Sequence, residues 1–194
     1  MKIKRDRYLQ QLIESRQNGF IKVVTGIRRC GKSYLLNMLF YHYLLDKGVA
    51  EDHIIRVDLE DRMNKELRDP DAMLHYVHDR IKDKNLYYII IDEIQLMDEF
   101  VDVLNSFLHI DNADTYVTGS NSHFLSSDIP TEFRGRGETI HVNPLCFAEI
   151  NKLLQNRLLL RLFLRAVAQL DANGKIALEV LRIDLVALGS ELLQ

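Results

Sequence analysis

One glycine-containing segment, residues 26–33, constrains the fold more than any other part of the chain. It has the sequence GIRRCGKS, which matches the spacing G-x-x-x-x-G-K-[ST]. The apolar run 20–25 before it predicts a buried strand, and leucines and aromatics at three- and four-residue spacing over residues 33–47 predict a helix. A strand that passes through such a loop into a helix is typical of the first unit of an α/β fold.

This segment has the residues that a phosphate-binding loop needs. Glycines let the chain wrap so that successive N–H groups point at phosphate oxygens, and the following helix adds the positive end of its dipole. In that chemistry Lys32 bridges the β- and γ-phosphates and Ser33 holds Mg²⁺. The alternative interpretation is a plain glycine turn ahead of a helix. The residues predicted to bind the nucleotide are Gly26, Ile27, Arg28, Arg29, Cys30, Gly31, Lys32, Ser33 and Tyr34.

Strand and helix patterns alternate over the first 150 residues. Further strands are predicted at residues 53–58, 86–92, 115–118 and 138–142, and further helices at residues 71–84, 98–109 and 122–127. The run 86–92 is apolar on both faces, as in a parallel sheet that is covered on each side. The alternation therefore predicts an α/β fold in which a parallel sheet has helices on both faces and right-handed crossovers.

Two carboxylates, Asp92 and Glu93, end the most apolar strand. Ligands bind at the carboxyl edge of open α/β sheets, so these side chains are expected beside the loop. Asp92 would hold Mg²⁺ through water and Ser33, and Glu93 would orient and polarise an attacking water as a general base. Alone the pair has a plain alternative, because any buried strand must end in something polar. Together with the loop, Glu93 favours hydrolysis over phosphate transfer to a small substrate.

Three more side chains are candidates for contact with a γ-phosphate. Asn121 follows the fourth predicted strand, where it could position the water or serve as a helix N-cap. Arg134 and Arg136 precede the last strand, and either could reach a γ-phosphate in its own subunit or in a neighbour's. Their alternative role is that of solvated arginines in a glycine turn. An arginine that acts on a neighbour would require a homo-oligomer.

Composition limits the compartment and the partners. The 194 residues have a net charge of −3, so no global basic field predicts binding to nucleic acid or to an anionic membrane. The two cysteines, Cys30 and Cys146, lie far apart in a chain long enough to bury a core, which favours a reducing compartment. The charged N-terminus lacks the apolar stretch of a signal peptide, and the run 86–91 is too short to cross a bilayer. We expect a cytoplasmic protein with no membrane partner.

Several strings around and beyond the loop resemble a bacterial and archaeal family of AAA-type ATPases. They are RDRYL, VVTGIRRCGKSYLL, IIIDEIQ, VTGSNSHFLS, RGRGE and NPLCFAEI, and they cover roughly residues 5–150. The resemblance implies a P-loop NTPase three-layer sandwich with a five-stranded parallel sheet in the order 5-1-4-3-2. It also implies ATP and Mg²⁺ as ligands, and ATP hydrolysis coupled to a conformational task.

The family pattern assigns roles to individual residues. Arg7 and Tyr8, in the string RDRYL, match its N-terminal pattern and are expected near the nucleotide base. The other matched residues are Gly31, Lys32 and Ser33 in the phosphate loop, Asp92 and Glu93 as the metal and water carboxylates, Asn121 as the sensor on the fourth strand, and Arg136 as the G-R position before the fifth.

Residues 151–194 differ in composition from the rest of the chain. Roughly a third of them are leucine, and they predict a short helical tail folded as a hairpin. Family members continue past the P-L-x-F-x-E segment into a helical lid and a second domain, often described as nuclease-like or DNA-associated, whereas the match here stops at Glu149 and Ile150. The chain is therefore either a short variant with a helical lid or the product of a truncated or frame-shifted gene. The predicted organisation is an ATP-binding core over residues 1–150 and a leucine-rich tail over residues 151–194.

Two functions remain open at this point. The first is Mg²⁺-dependent ATP binding and hydrolysis coupled to an unknown conformational task. The second is an ATP-binding switch with little or no turnover, because the lid and second domain are missing. No motif identifies the client, which is an unknown protein or DNA.

Overall fold

A computed structural model provides the structure of the chain and describes residues 5–119, 135–146 and 149. Lys4–Pro144 form one compact unit, which contains the strands and helices given below. In a separate unit of the chain, the Cys146 N–H donates to Glu149 Oε2 at 2.9 Å. The predicted helix at 122–127 and the predicted tail at 151–194 lie outside the described residues.

The compact unit is built on a parallel sheet of five strands. The strands are β1 (Ile21–Thr25), β2 (Ile54–Asp58), β3 (Tyr87–Asp92), β4 (Ala113–Thr118) and β5 (Gly137–His141). Their spatial order is β2-β3-β4-β1-β5, and every neighbouring pair is parallel. Read from the other edge, this is the predicted order 5-1-4-3-2, so the predicted topology is confirmed.

Helices cover both faces of the sheet. They are α1 (Asp6–Glu14), α2 (Lys32–Tyr34), a π-helical segment (Leu35–Phe40), α3 (Tyr41–Asp46), α4 (Pro70–His78) and α5 (Phe100–Phe107), with short 3₁₀ turns at Glu51–His53, Arg62–Arg68 and Ile94–Leu96. One apolar cluster joins the sheet to α4 and α5, and a second joins it to α1 and to the continuous helix that runs through α2 and α3. The three layers agree with the predicted sandwich.

Two helices differ from the prediction. Helix α4 ends at His78 instead of continuing to residue 84, because the backbone tightens there: the N–H groups of Arg80 and Ile81 donate to carbonyls three residues back at 3.1 and 3.2 Å. Helix α1 was not predicted, because its sequence is dominated by charged and polar residues. It buries Tyr8 and Leu12 on one side, which is enough to hold a short amphipathic helix against the sheet.

A buried charge cluster ties β1 to β4 near the amino edge of the sheet. Lys22 is fully buried, and its ammonium donates to the Asp114 carboxylate. The same carboxylate accepts the Tyr116 hydroxyl at 2.9 Å and the Gln17 N–H at 3.0 Å. Burial lowers the pKa of Lys22, and the neighbouring Asp114 opposes that shift. The charge is therefore kept in the interior by a hydrogen-bonded partner.

Within the described part of the chain, no helix has both the length and the apolar character that a membrane span requires.

Candidate functional site

The carboxyl ends of three neighbouring strands bring the predicted site residues together. β1 leads into the glycine loop, β3 ends at Asp92, and β4 ends at Thr118. Val24 lies level with Thr118, and Ile91 lies level with Val117. The loop, the two carboxylates and the end of β4 therefore start from the same edge of the sheet, as the strand order predicts.

The loop has a backbone that only glycine accommodates at its start. Gly26 has φ of +144°, and a Cβ there would lie 2.3 Å from the Val142 carbonyl oxygen and 2.8 Å from Cys30 Sγ. Gly31, at the helix N-terminus, has φ of +97°, and Arg29 between them has φ of +65°. These left-handed turns wrap the chain tightly around the position that a phosphate would take.

Lys32 lies inside this wrap. Its side chain is 4% exposed, and its ammonium donates to the Gly26 carbonyl at 3.1 Å and to the Ile27 carbonyl at 3.4 Å. The ammonium therefore sits across the loop, held by main-chain oxygens of the first two loop residues. Ile27 and Arg28 are exposed, and Arg28 makes a 3.4 Å contact with Glu60 on the surface.

Asp92 is the centre of a hydrogen-bonded group at the end of β3. Its carboxylate accepts from Thr118 Oγ1, from Asn37 Nδ2 at 3.2 Å and from the Ser33 hydroxyl. Burial raises the pKa of Asp92, the bonds from Thr118 and Ser33 lower it, and the nearby carboxylates of Asp58 and Glu93 raise it further. A cation at this position would relieve that burial and repulsion.

Glu93 has a strained backbone beside this group. Its φ is +54°, which is unfavourable for a residue with a side chain, and its N–H donates to Thr118 Oγ1 at 2.9 Å. Its side chain is 9% exposed, and Oε2 accepts from Gln95 Nε2. Thr118 thus bridges the two carboxylate residues: it donates to Asp92 and accepts from the Glu93 main chain.

The oxygen ligands near the loop fit Mg²⁺. Mg²⁺ takes hard oxygen ligands and in nucleotide sites is usually bound by one or two protein groups together with phosphates and water. Here the hydroxyl of Ser33, at the start of helix α2, is hydrogen-bonded to the carboxylate of Asp92. Ser33 and Asp92 are therefore suitable, by their chemistry and position, to hold a magnesium–phosphate complex.

The two residues of the N-terminal pattern, Arg7 and Tyr8, lie in different environments. Arg7 is exposed, whereas Tyr8 is buried and its hydroxyl accepts the Asn143 N–H at 3.1 Å. Arg5, which was not singled out, is the arginine that reaches the loop: it donates to the Cys30 carbonyl at 2.6 Å.

Arg136 lies at the other edge of the sheet from the loop. Its carbonyl accepts the Ile21 N–H at 2.9 Å, and the next residue, Gly137, lies level with Ile21 at the start of β1. The strand between this point and the carboxyl edge is roughly 13 Å long at about 3.3 Å per residue. Arg136 is therefore not brought together with Lys32 and Asp92 within one chain. Asn121 and Arg134 lie outside the described residues.

Sequence reasoning missed three residues of this site: Arg5, Asn37 and Thr118. Asn37 had a usable signal, because it is four residues after Ser33 and so shares its helix face. Thr118 had a weaker signal, as a polar residue at the end of a buried strand. Arg5 had none, because its partners lie 25 and 138 residues away in sequence.

The chain matches a family model and two curated relatives. Residues 18–151 match the model described as an AAA domain. An uncharacterized protein of Haemophilus influenzae is 34% identical over 148 residues, which are 76% of this chain and 37% of that protein. An uncharacterized protein of Methanocaldococcus jannaschii is 32% identical over 133 residues, which are 68% of this chain and 28% of that protein. The chain therefore spans well under half the length of either relative.

Solved structures with low sequence identity share the fold. The Aeropyrum pernix ORC1 protein, solved in complex with DNA, has a TM-score of 0.56 at 14% identity, over 81% of this chain and 50% of that one. PCH-2 of Caenorhabditis elegans has a TM-score of 0.55 at 12% identity, over 83% and 46%. The ADP form of the Aeropyrum pernix ORC2 protein has a TM-score of 0.52 at 13% identity, over 82% and 53%. With the family match and the sheet order, these findings show that the chain belongs to the AAA domain family of AAA-type ATPases.

Proposed function

We propose that this chain binds ATP with Mg²⁺ and hydrolyses it to ADP and phosphate. The observation that carries the proposal is the convergence of Lys32, Ser33, Asp92 and Glu93 at one edge of the sheet, around a loop whose backbone turns require glycine. The fold shared with a protein solved in its ADP form supports a nucleotide as the ligand.

Binding uses the loop and the start of helix α2. The loop N–H groups and the helix N-terminus receive the phosphates, and Lys32 exchanges its two carbonyl partners for β- and γ-phosphate oxygens. Ser33 and, through water, Asp92 would hold Mg²⁺, which would neutralise charge on the phosphates. Asn37 and Thr118 keep the Asp92 carboxylate turned toward that position.

Hydrolysis uses Glu93 as the general base. Its carboxylate takes a proton from water, whose oxygen attacks the γ-phosphorus while the bond to the β-γ bridging oxygen breaks and ADP leaves. We propose Asn121 as the residue that positions this water. Because Arg136 lies at the opposite edge of the sheet, we propose that it acts on the nucleotide of a second copy, which requires a homo-oligomer.

Two substitutions test the assignment. Lys32→Ala removes the cation on the phosphates, and we expect it to abolish ATP binding in a calorimetric titration. Glu93→Gln keeps the size of the side chain and removes its basicity, so we expect ATP binding to remain while phosphate release falls by about a hundredfold or more. Glu14→Gln is the matched control, since Glu14 is an exposed carboxylate on helix α1 whose Oε1 accepts from Gln10 Nε2 at 2.9 Å. The catalytic assignment is wrong if Glu93→Gln and Glu14→Gln hydrolyse ATP at the same rate.

One observation favours a second candidate, an ATP-binding switch with little turnover. Gln95 donates to the Glu93 oxygen Oε2, and this contact competes with the acceptance of a proton from water. In a switch, the wild-type chain would bind ATP and Mg²⁺ but release phosphate in a single-turnover assay as slowly as Glu93→Gln. A faster wild-type rate supports the ATPase.

A further inference from the structure

A buried arginine near the N-terminus contacts the phosphate loop. Arg5 is 3% exposed and lies just before helix α1. One guanidinium nitrogen donates to the Cys30 carbonyl at 2.6 Å, and the other donates to the Asn143 carbonyl at 2.6 Å. Both bonds are short and made by a charged donor, which is the stronger class of hydrogen bond.

The same arginine joins segments that are far apart in sequence. Its guanidinium lies 4.7 Å from the centre of the Tyr8 ring, and the Tyr8 hydroxyl accepts the Asn143 N–H at 3.1 Å. The segment after β5 is also fixed to the start of the loop, because the Val142 N–H donates to the Thr25 carbonyl at 2.8 Å. The segment after β5 is therefore attached directly to the last residue of β1, just before the loop, and through Arg5 to Cys30 within the loop.

The contact with Cys30 determines the direction of a neighbouring donor. The Cys30 carbonyl and the Gly31 N–H belong to one planar trans peptide, so they point in opposite directions. Since the carbonyl is turned toward Arg5, the Gly31 N–H is turned away from Arg5. Gly31 has φ of +97° and no side chain to oppose a rotation of this peptide.

We propose that Arg5 is a positioning residue of the phosphate loop: its guanidinium holds the Cys30–Gly31 peptide so that the Gly31 N–H faces the nucleotide phosphates. This inference rests on the proposed function, because it assigns a phosphate as the partner of that N–H. It also gives the N-terminal segment a role in affinity that the predicted contact of Arg7 with the base does not include.

ADP affinity, measured calorimetrically on the full chain, tests the proposal. Arg5→Met removes both donors and frees the Cys30–Gly31 peptide to rotate, so we expect the dissociation constant for ADP to rise about tenfold or more, which is about 1.4 kcal/mol. Arg5→Lys keeps the charge without the planar fork that spans two carbonyls, and we expect a rise of about threefold or more. Arg80→Met is the matched control: it removes an exposed arginine just after helix α4, whose guanidinium donates to the Tyr76 carbonyl at 3.2 Å, and we expect a change below about twofold.

Hydrogen exchange without nucleotide separates positioning from general stability. We expect amides of residues 26–33 to exchange about tenfold faster in Arg5→Met than in the wild type, and amides of β2 to keep their rates. The proposal is overturned if hydrogen exchange accelerates equally in residues 26–33 and in β2. It is also overturned if the ADP affinity of either Arg5→Met or Arg5→Lys stays within about twofold of the wild type. If Arg5→Met does not fold by circular dichroism, Arg5→Lys decides by both measurements. If the wild-type chain binds neither ADP nor ATP with Mg²⁺, the proposed function fails, and hydrogen exchange in the loop still decides whether Arg5 holds the loop.

Discussion

Replacement of Gly26 by alanine tests whether the close approach at the start of the loop is a fixed part of the fold. The added Cβ would lie 2.3 Å from the Val142 carbonyl oxygen, far inside van der Waals contact, at a φ of +144°. Val142 cannot move away freely, because its N–H is bonded to Thr25 at 2.8 Å. Overpacking costs about 1–3 kcal/mol and the unfavourable φ about 1–2 kcal/mol, so we expect a loss of about 3 kcal/mol in the free energy of unfolding.

Gly48→Ala is the matched control for this substitution. Gly48 also has a positive φ, +83°, but nothing lies within 4 Å of a Cβ placed there. Only the backbone term applies, and we expect a loss of about 1 kcal/mol. Urea unfolding followed by circular dichroism measures both values, and in thermal unfolding each kcal/mol corresponds to about 2–4 °C for a chain of this size. Equal losses in the two variants would show that the loop relaxes at no cost, and would refute the packing argument.

Two further predictions concern groups away from the loop backbone. Asn37→Leu removes the 3.2 Å hydrogen bond to Asp92, so we expect Mg²⁺ to bind the ADP complex about tenfold more weakly, while ADP affinity in EDTA stays unchanged. An unchanged Mg²⁺ titration would contradict a role of Asn37 in orienting the Asp92 carboxylate. Hydrogen bonds to Asp52 and Asp83 raise the pKa of His53 above 6.5, with burial opposing. The contribution of protonated His53 to stability is therefore complete below pH 6.5 and is lost as pH rises through the folded-state pKa. We expect the free energy of unfolding to fall more between pH 6 and pH 8.5 in the wild type than in His53→Gln. Urea unfolding at each pH measures both.

The sequence predicts the sheet and the core of the site for identifiable reasons. A run that is apolar on both faces, such as β3, is typical of a buried strand. The phosphate loop is recognised by the fixed spacing of its glycines, Lys32 and Ser33 and by its position after a strand. The contacts of Arg5 and Thr118 were not predictable in the same way, because they join residues that are distant along the chain and that are common in ordinary surface and strand-end positions. The end of helix α4 was not predicted, because the helical spacing of apolar residues continues past His78. The backbone nevertheless leaves the helix there, where Arg80 and Ile81 donate to carbonyls three residues back.

The buried pair Lys22–Asp114 has a consequence for the alignment of the strands. Lys22 lies level with Tyr116, and its partner Asp114 is two residues earlier on the same face of β4. A shift of β1 by one residue would turn Lys22 to the opposite face, into the apolar cluster that contains Ile21 and Val23, and would leave both charges unpaired. The pair therefore specifies the register between β1 and β4. Because that register keeps Val24 level with Thr118, charges at one edge of the sheet determine the relative height of the phosphate loop and the carboxylates at the other.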